Sequence, residues 1–237
     1  MGEGETNAFP PIWTQQSPRR RGLDREKITA AAIGVADEAG LDGLTMKAVA
    51  ARLGPYSPMA LYRHVHSKEG LFDLMLDAAT AEVPLPGEPG GDWRGDLRTL
   101  ALETRRMTSR HPWFAVLVHA RPPAGPHMMR RLEFMLAVLV RRGATVGEAM
   151  TYAALIDRHV LGSAQQESEE ARQERRQGLD DDARLYAAIA ALRELAAADG
   201  GLPHLTEWLT HPAGPTPEER FAIGLDFVLD GIAARLA

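Results

Sequence analysis

The sequence predicts an all-α protein, in which an N-terminal three-helix unit with a helix-turn-helix precedes a larger helical domain. Three observations carry this reading. Apolar residues recur at intervals of three and four, and no stretch shows the strict alternation of a strand. Helix stop and start signals stand only a few residues apart between Leu53 and Pro58. A breaker running from Pro84 to Gly91, rich in Pro and Gly, divides the chain into units of about 23–82 and 92–237.

Residues 1–22 are Gly-, Pro- and polar-rich with isolated Phe9, Ile12 and Trp13, which predicts a disordered arm. Arg19, Arg20 and Arg21 within it fit two roles, a basic arm on a duplex or a solvated tail. The first helix starts from an Asp24 cap, runs along Ile28, Ala31, Ala32, Val35 and Ala39, and ends at Gly40. Thr45 caps the second, whose inward stripe is Val49, Ala50 and Leu53. Gly54 tolerates the left-handed backbone that stops a helix, and Pro55 cannot rejoin the hydrogen-bond ladder.

Ser57-Pro58 restarts the chain, because a Ser cap followed by Pro in the first helical position requires no N–H there. In this third helix Leu61 and Val65 face inward, and Met59, Tyr62, Arg63 and His64 form an outward face. A helix-turn-helix thus spans about 45–65, and Ser67 caps a connecting helix over 67–82 with Leu71, Leu74, Met75 and Ala78 inward. Packing alone does not explain so short a helix with so polar a face. Charge points the same way. Residues 19–69 hold nine Arg and Lys against six Asp and Glu, a local +3 in a chain of net −5. That distribution suits a nucleic-acid binder that confines positive charge to one small domain.

The second domain reads as successive helices. They are an Asp92-capped helix through Met107, a short apolar stretch after His111-Pro112, a helix from about Pro126 to Arg142, and another from Thr145 to about Gln166 or beyond. Residues 167–184, charged in both signs, predict a loop or frayed helix; helices near 183–198, 205–209 and 217–236 follow. The helices at 146–166 and 217–236 are apolar on more than one face, so each needs two partners, in a thick monomeric core or across an interface. Bulky and polarizable residues suggest an apolar ligand pocket containing Met107, Trp113, Phe114, Met129, Tyr152 and His159, with His159 as its polar handle. Ordinary core packing is the competing reading for each of them.

Other classes find little support. Cysteine is absent, which excludes disulfides and thiolate metal sites, and no apolar run approaches the ~20 residues of a membrane span, so a cytoplasmic protein is expected. The histidines match no HExxH spacing, and neither a GxSxG nor a phosphate-cradling glycine loop occurs. No enzymatic activity, metal or cofactor is therefore expected.

The segment from Asp24 to Leu71 resembles the DNA-binding domain of the tetracycline-repressor (TetR) family. The resemblance lies in Leu44-Thr45, Val49-Ala50, Leu53-Gly54, Leu61-Tyr62-Arg63-His64-Val65 and Ser67-Lys68-Glu69-Gly70-Leu71, about a quarter of the chain. One departure stands out. Six residues separate Gly54 from Leu61 where the family has five, which predicts a wider turn.

The resemblance implies a homodimeric, ligand-responsive repressor that binds double-stranded DNA at a palindromic operator and is released by a small amphipathic effector. It also implies dimerisation through the 146–166 and 217–236 helices. Thr45, Lys47, Tyr62 and Lys68 are then expected on phosphates and Met59, Ala60 and Arg63 at base edges, with Ser57 at the start of the recognition helix. His64 fits either a phosphate contact or inward packing. A helical ligand-binding or scaffold protein without DNA function is the alternative.

Overall fold

The computed structural model describes residues 11–16, 22–118, 125–177, 182–210 and 214–236. Among them are eleven α-helices, one 3-10 turn and no strand. The head comprises α1 (Arg25–Gly43), α2 (Met46–Leu53), α3 (Pro58–Val65) and α4 (Lys68–Thr80). Helices as short as α2 and α3 do not persist alone in water, so caps and a shared core must hold them. The Thr45, Ser57 and Ser67 hydroxyls accept from the amides of Ala48 (3.1 Å), Ala60 (3.3 Å) and Gly70 (2.9 Å). Each such cap is worth about 1 kcal/mol. Ile28, Ala32, Val49, Leu61, Val65, Leu71 and Met75 then close a common core.

The first helix breaks at Gly40 as expected: the backbone there turns to positive φ (68°), and a further short turn runs to Gly43 ahead of the buried Leu44. One detail departs from expectation, because the N-terminal stretch is not wholly an unattached arm. Ile12 is buried in a 3-10 turn (Ile12–Thr14) against α4, next to Gly70, while Arg25 Nη2 donates to the Gln15 carbonyl (2.9 Å). A single isoleucine filling one niche leaves no periodic trace in a sequence. Residues 17–21, with the three arginines, lie outside the described residues.

The larger domain contains α5 (Trp93–Arg110), α6 (Trp113–Val118), α7 (Pro126–Arg141), α8 (Val146–Gln177), α9 (Asp182–Asp199), α10 (Pro203–Thr210) and α11 (Pro217–Ala233). Helix α8 continues well past Gln166 into the mixed-charge stretch. There Gln166–Glu170 and Arg172–Glu169 bonds between neighbouring turns support an exposed helix. Helices α5, α7 and α8 pack together, α11 lies on α8, and α4 leaves the head to pack on α7. No helix among the described residues is long and apolar enough to cross a membrane.

Candidate nucleic-acid interface and ligand cavity

Helix α3 is divided sharply between two faces. Leu61 and Val65 are wholly buried, whereas Met59 is 68% exposed and Arg63 lies in solvent. Ala60 and Tyr62 are half-buried at the border. Thr45 and Lys47 are exposed at the start of α2, Ser57 at the start of α3, and Lys68 begins α4 with its Nζ 5.4 Å from the centre of the Phe72 ring. Hydroxyls and cations thus sit at helix N-termini, where amide dipoles already favour phosphate.

The fold also sorts the basic residues. Arg52 is committed to Glu38 across α1 and α2 (2.7 Å), and this mutual hydrogen bond raises the Arg52 pKa and lowers that of Glu38. Arg25 donates Nε to the His64 carbonyl (2.9 Å) as well as Nη2 to Gln15, and partial burial lowers its pKa. Lys27 lies on Asp24 and the Gly22 carbonyl. Lys47 and Arg63 have no ion-pair partner among the described residues and remain available.

His64 departs from its place in the expected contact set. Its residue is 2% exposed, so the ring packs inward, and its carbonyl accepts from Arg25. Following Arg63 by one position, it is turned ~100° around the helix, from the solvent side to the core side. The widened turn is absorbed by Tyr56, whose amide donates to the Gly54 carbonyl (2.8 Å) and whose ring packs half-buried against the core.

In the larger domain an inner cavity of about 180 Å³ lies among α5, α6, α7 and α8. Met107, Phe114, Met128, Leu132 and Leu161 give it apolar walls, and Arg131 and Asp157 form its polar end. That pair is bidentate, with Nη2–Oδ1 at 2.7 Å and Nη1–Oδ2 at 3.1 Å, and Arg131 Nε also donates to the Thr104 hydroxyl (3.3 Å).

The expected ligand residues divide by helix phase. Met107 and Phe114 line this cavity. Trp113, next to Phe114, instead turns toward α1 and donates Nε1–H to Asp37 (2.6 Å). Met129 is 54% exposed, one position beyond the lining Met128. Asp157 and Leu161, four apart, share a face of α8, but Tyr152 and His159 lie off it. His159 stacks on Phe221 (4.9 Å) and donates Nε2–H to the Phe221 carbonyl (2.9 Å), so it joins α8 to α11 rather than serving the cavity.

Residues 85–236 match the family described as tetracyclin repressor-like, C-terminal domain, and residues 28–75 match bacterial regulatory proteins, tetR family. The chain belongs to the TetR family. It is 35% identical over 216 residues to the HTH-type transcriptional repressor DrrR1 of Streptomyces coeruleorubidus, covering 91% of this chain and 79% of that one. An HTH-type transcriptional regulator of Saccharopolyspora erythraea is 34% identical, with 93% and 89% covered. Among solved structures, ActR of Streptomyces coelicolor in complex with actinorhodin superposes with a TM-score of 0.76 at 27% identity, covering 91% and 97%. The protein is a DNA-binding, ligand-responsive transcriptional repressor of this family.

A TetR regulator must couple its head to its ligand domain, and two side-chain clusters make that junction here. Asp77 on α4 is 3% exposed and accepts from the amides of His127 (2.8 Å) and Met128 (3.0 Å) and from His127 Nδ1–H (2.7 Å). It therefore clamps the connecting helix to the first turn of α7, where Met128 forms cavity wall. In the second cluster His111 stands between Asp37 of α1 (Nδ1, 2.8 Å) and Glu82 just beyond α4 (Nε2, 3.1 Å), and Arg110 Nη2 also binds Glu82 (2.8 Å). Burial pushes the Glu82 carboxyl upward, but the hydrogen bonds and charges of Arg110 and His111 together outweigh it and hold its pKa below the usual value.

Sequence reading did not single out Asp77, Asp37 or Arg131. One sign was legible for Asp77: an acid three residues after Leu74, in the inward register of an apolar helix.

Proposed function

We propose that two copies of this chain place their α3 helices in successive major grooves of a palindromic operator, about 34 Å apart, and that a small amphipathic effector releases them. The observation that carries this is α3 itself, a two-turn helix with one face sealed in the core and Met59 and Arg63 held outward. Arg63 reads a base edge, with Met59 and Ala60 beside it; Thr45, Lys47, Tyr62 and Lys68 hold phosphates, and Ser57 presents the helix start. His64 is left out of this set because its side chain is buried.

Dimerisation through α8 and α11 is supported by apolar residues left in solvent there, Val146, Met150 and Leu155 on one and Ile223 and Phe227 on the other. A two-fold pair also matches a two-fold operator. The effector occupies the cavity walled by Met107 and Phe114, so binding there and on DNA must weaken each other by the same factor. The test is to select duplexes from a random pool with the purified protein and to repeat the selection with small-metabolite extracts. The expected result is an inverted repeat whose capture the extract reduces. Selection of non-repeated sites, or no duplex binding at low salt, would overturn the proposal.

A further inference from the structure

Arg131 and Thr80 line not only the inner cavity but also an outer cleft of about 560 Å³ between the 81–92 linker and α7. We infer that the effector spans both spaces and carries a carboxylate, seated in the outer cleft against Arg131 and Arg130, with its apolar body in the inner cavity. This rests on the effector reading above and specifies its chemistry.

Size is the first ground. An inner space of about 180 Å³ falls short of the ~300–1,000 Å³ of ligand pockets, so an effector seated there must extend across the shared residues into the outer space. Charge is the second. The outer cleft is lined by His127, Arg130 and Arg131 against the single acid Glu133. Arg130 is exposed and has no ion-pair partner among the described residues, whereas His127 is already bonded to Asp77.

Geometry is the third. A guanidinium has five N–H donors; Arg131 directs three of them at Asp157 and Thr104, which leaves two. Its side chain is 13% exposed and pinned from the Asp157 side, so an incoming carboxylate meets a pre-oriented guanidinium and can accept from one of its two remaining N–H groups without breaking the existing pair. A cationic ligand fares worse. It must either sit among like charges or take Asp157 from Arg131 and leave a guanidinium largely removed from water without its counter-ion.

Calorimetry on the full-length protein with two matched fragments, 1-naphthaleneacetate and the uncharged 1-naphthaleneacetamide, tests this at pH 7. The acid is expected to bind at least about tenfold tighter than the amide, since its bonds to arginine are charge-assisted. Arg130→Gln should narrow that ratio without disturbing the fold. Replacing the inner pair as well, Arg131→Gln with Asp157→Asn in the Arg130→Gln background, should abolish the preference yet keep amide binding, because the buried pair is removed together and neither partner is left as a lone charge. Filling the inner cavity with Leu132→Trp should remove binding of both compounds.

Equal affinity for acid and amide, a preference for the amide, or a preference that survives loss of both arginines would overturn the inference. So would failure of both compounds to bind a protein that other small molecules still release from its operator. In that case the regulator reading stands and only the carboxylate assignment falls. Absence of any duplex binding would sink the regulator reading by itself.

Discussion

In the reading head, the Thr45, Ser57 and Ser67 hydroxyls each bond an amide three residues further on. In the ligand half, three ties join residues far apart: Arg131 to Asp157 across 26 positions, Arg105 to Glu167 across 62 and Arg94 to Asp226 across 132. Each of the three head caps therefore acts within one helical turn and can be satisfied as that turn forms. Each of these three ties requires two helices to have docked. A unit that must present one rigid helix to DNA suits the first construction. A unit that must exchange arrangements when a ligand enters suits the second.

The largest effect expected from breaking this contrast is in the head core. Leu61→Ala removes a fully buried side chain from under α3 and should cost about 2–5 kcal/mol in denaturant unfolding, with loss of duplex binding. A loss below about 1 kcal/mol would mean that α3 is held by its cap rather than by its buried face.

Next comes the junction between the two constructions. Asp77→Ala leaves two part-buried amides of α7 without their acceptor and should destabilise the protein by about 3 kcal/mol. Operator binding should persist while its response to effector shrinks, as measured by gel shift with and without ligand. Unchanged coupling would remove Asp77 from the linkage.

The exposed face of α3 should behave in the opposite way, with function affected and stability spared. Arg63→Ala should lower affinity for the selected operator by about 1–3 kcal/mol and leave unfolding within about 0.5 kcal/mol. Lys68→Ala should weaken binding to all duplexes alike and reduce the salt slope by about one. Equal losses from both substitutions on random DNA would undo the division between base and phosphate contacts.

The smallest effect lies just beyond the C-terminal end of α4. Because the folded-state pKa of Glu82 is held below 4.5, its contribution to stability is present above that pH and disappears as pH falls through the folded value. Melting temperature should therefore drop less steeply below about pH 4.5 in Glu82→Gln than in the parent protein.

Much of the head was readable in the chain itself. Thr45, Ser57-Pro58 and Ser67 mark helix starts by chemistry that acts on the next few amides, and α3 spans the expected Pro58–Val65. The outward placement of Met59 and Arg63 follows from the same periodicity. His64 was ambiguous, since one position at the edge of a stripe can fall on either side until a neighbour, here Arg25, closes over it.

The amino-acid sequence alone determined the all-α class, the three-helix head and the face that head turns outward, because caps, breakers and helical periods are forces between near neighbours. Only the tertiary structure decided that Ile12 docks on α4, that His159 packs on Phe221 of α11, and that Arg131 meets Asp157 at the end of a cavity. Those outcomes depend on which distant helices come to lie side by side, and the order of residues along one helix does not contain the phase of its partner.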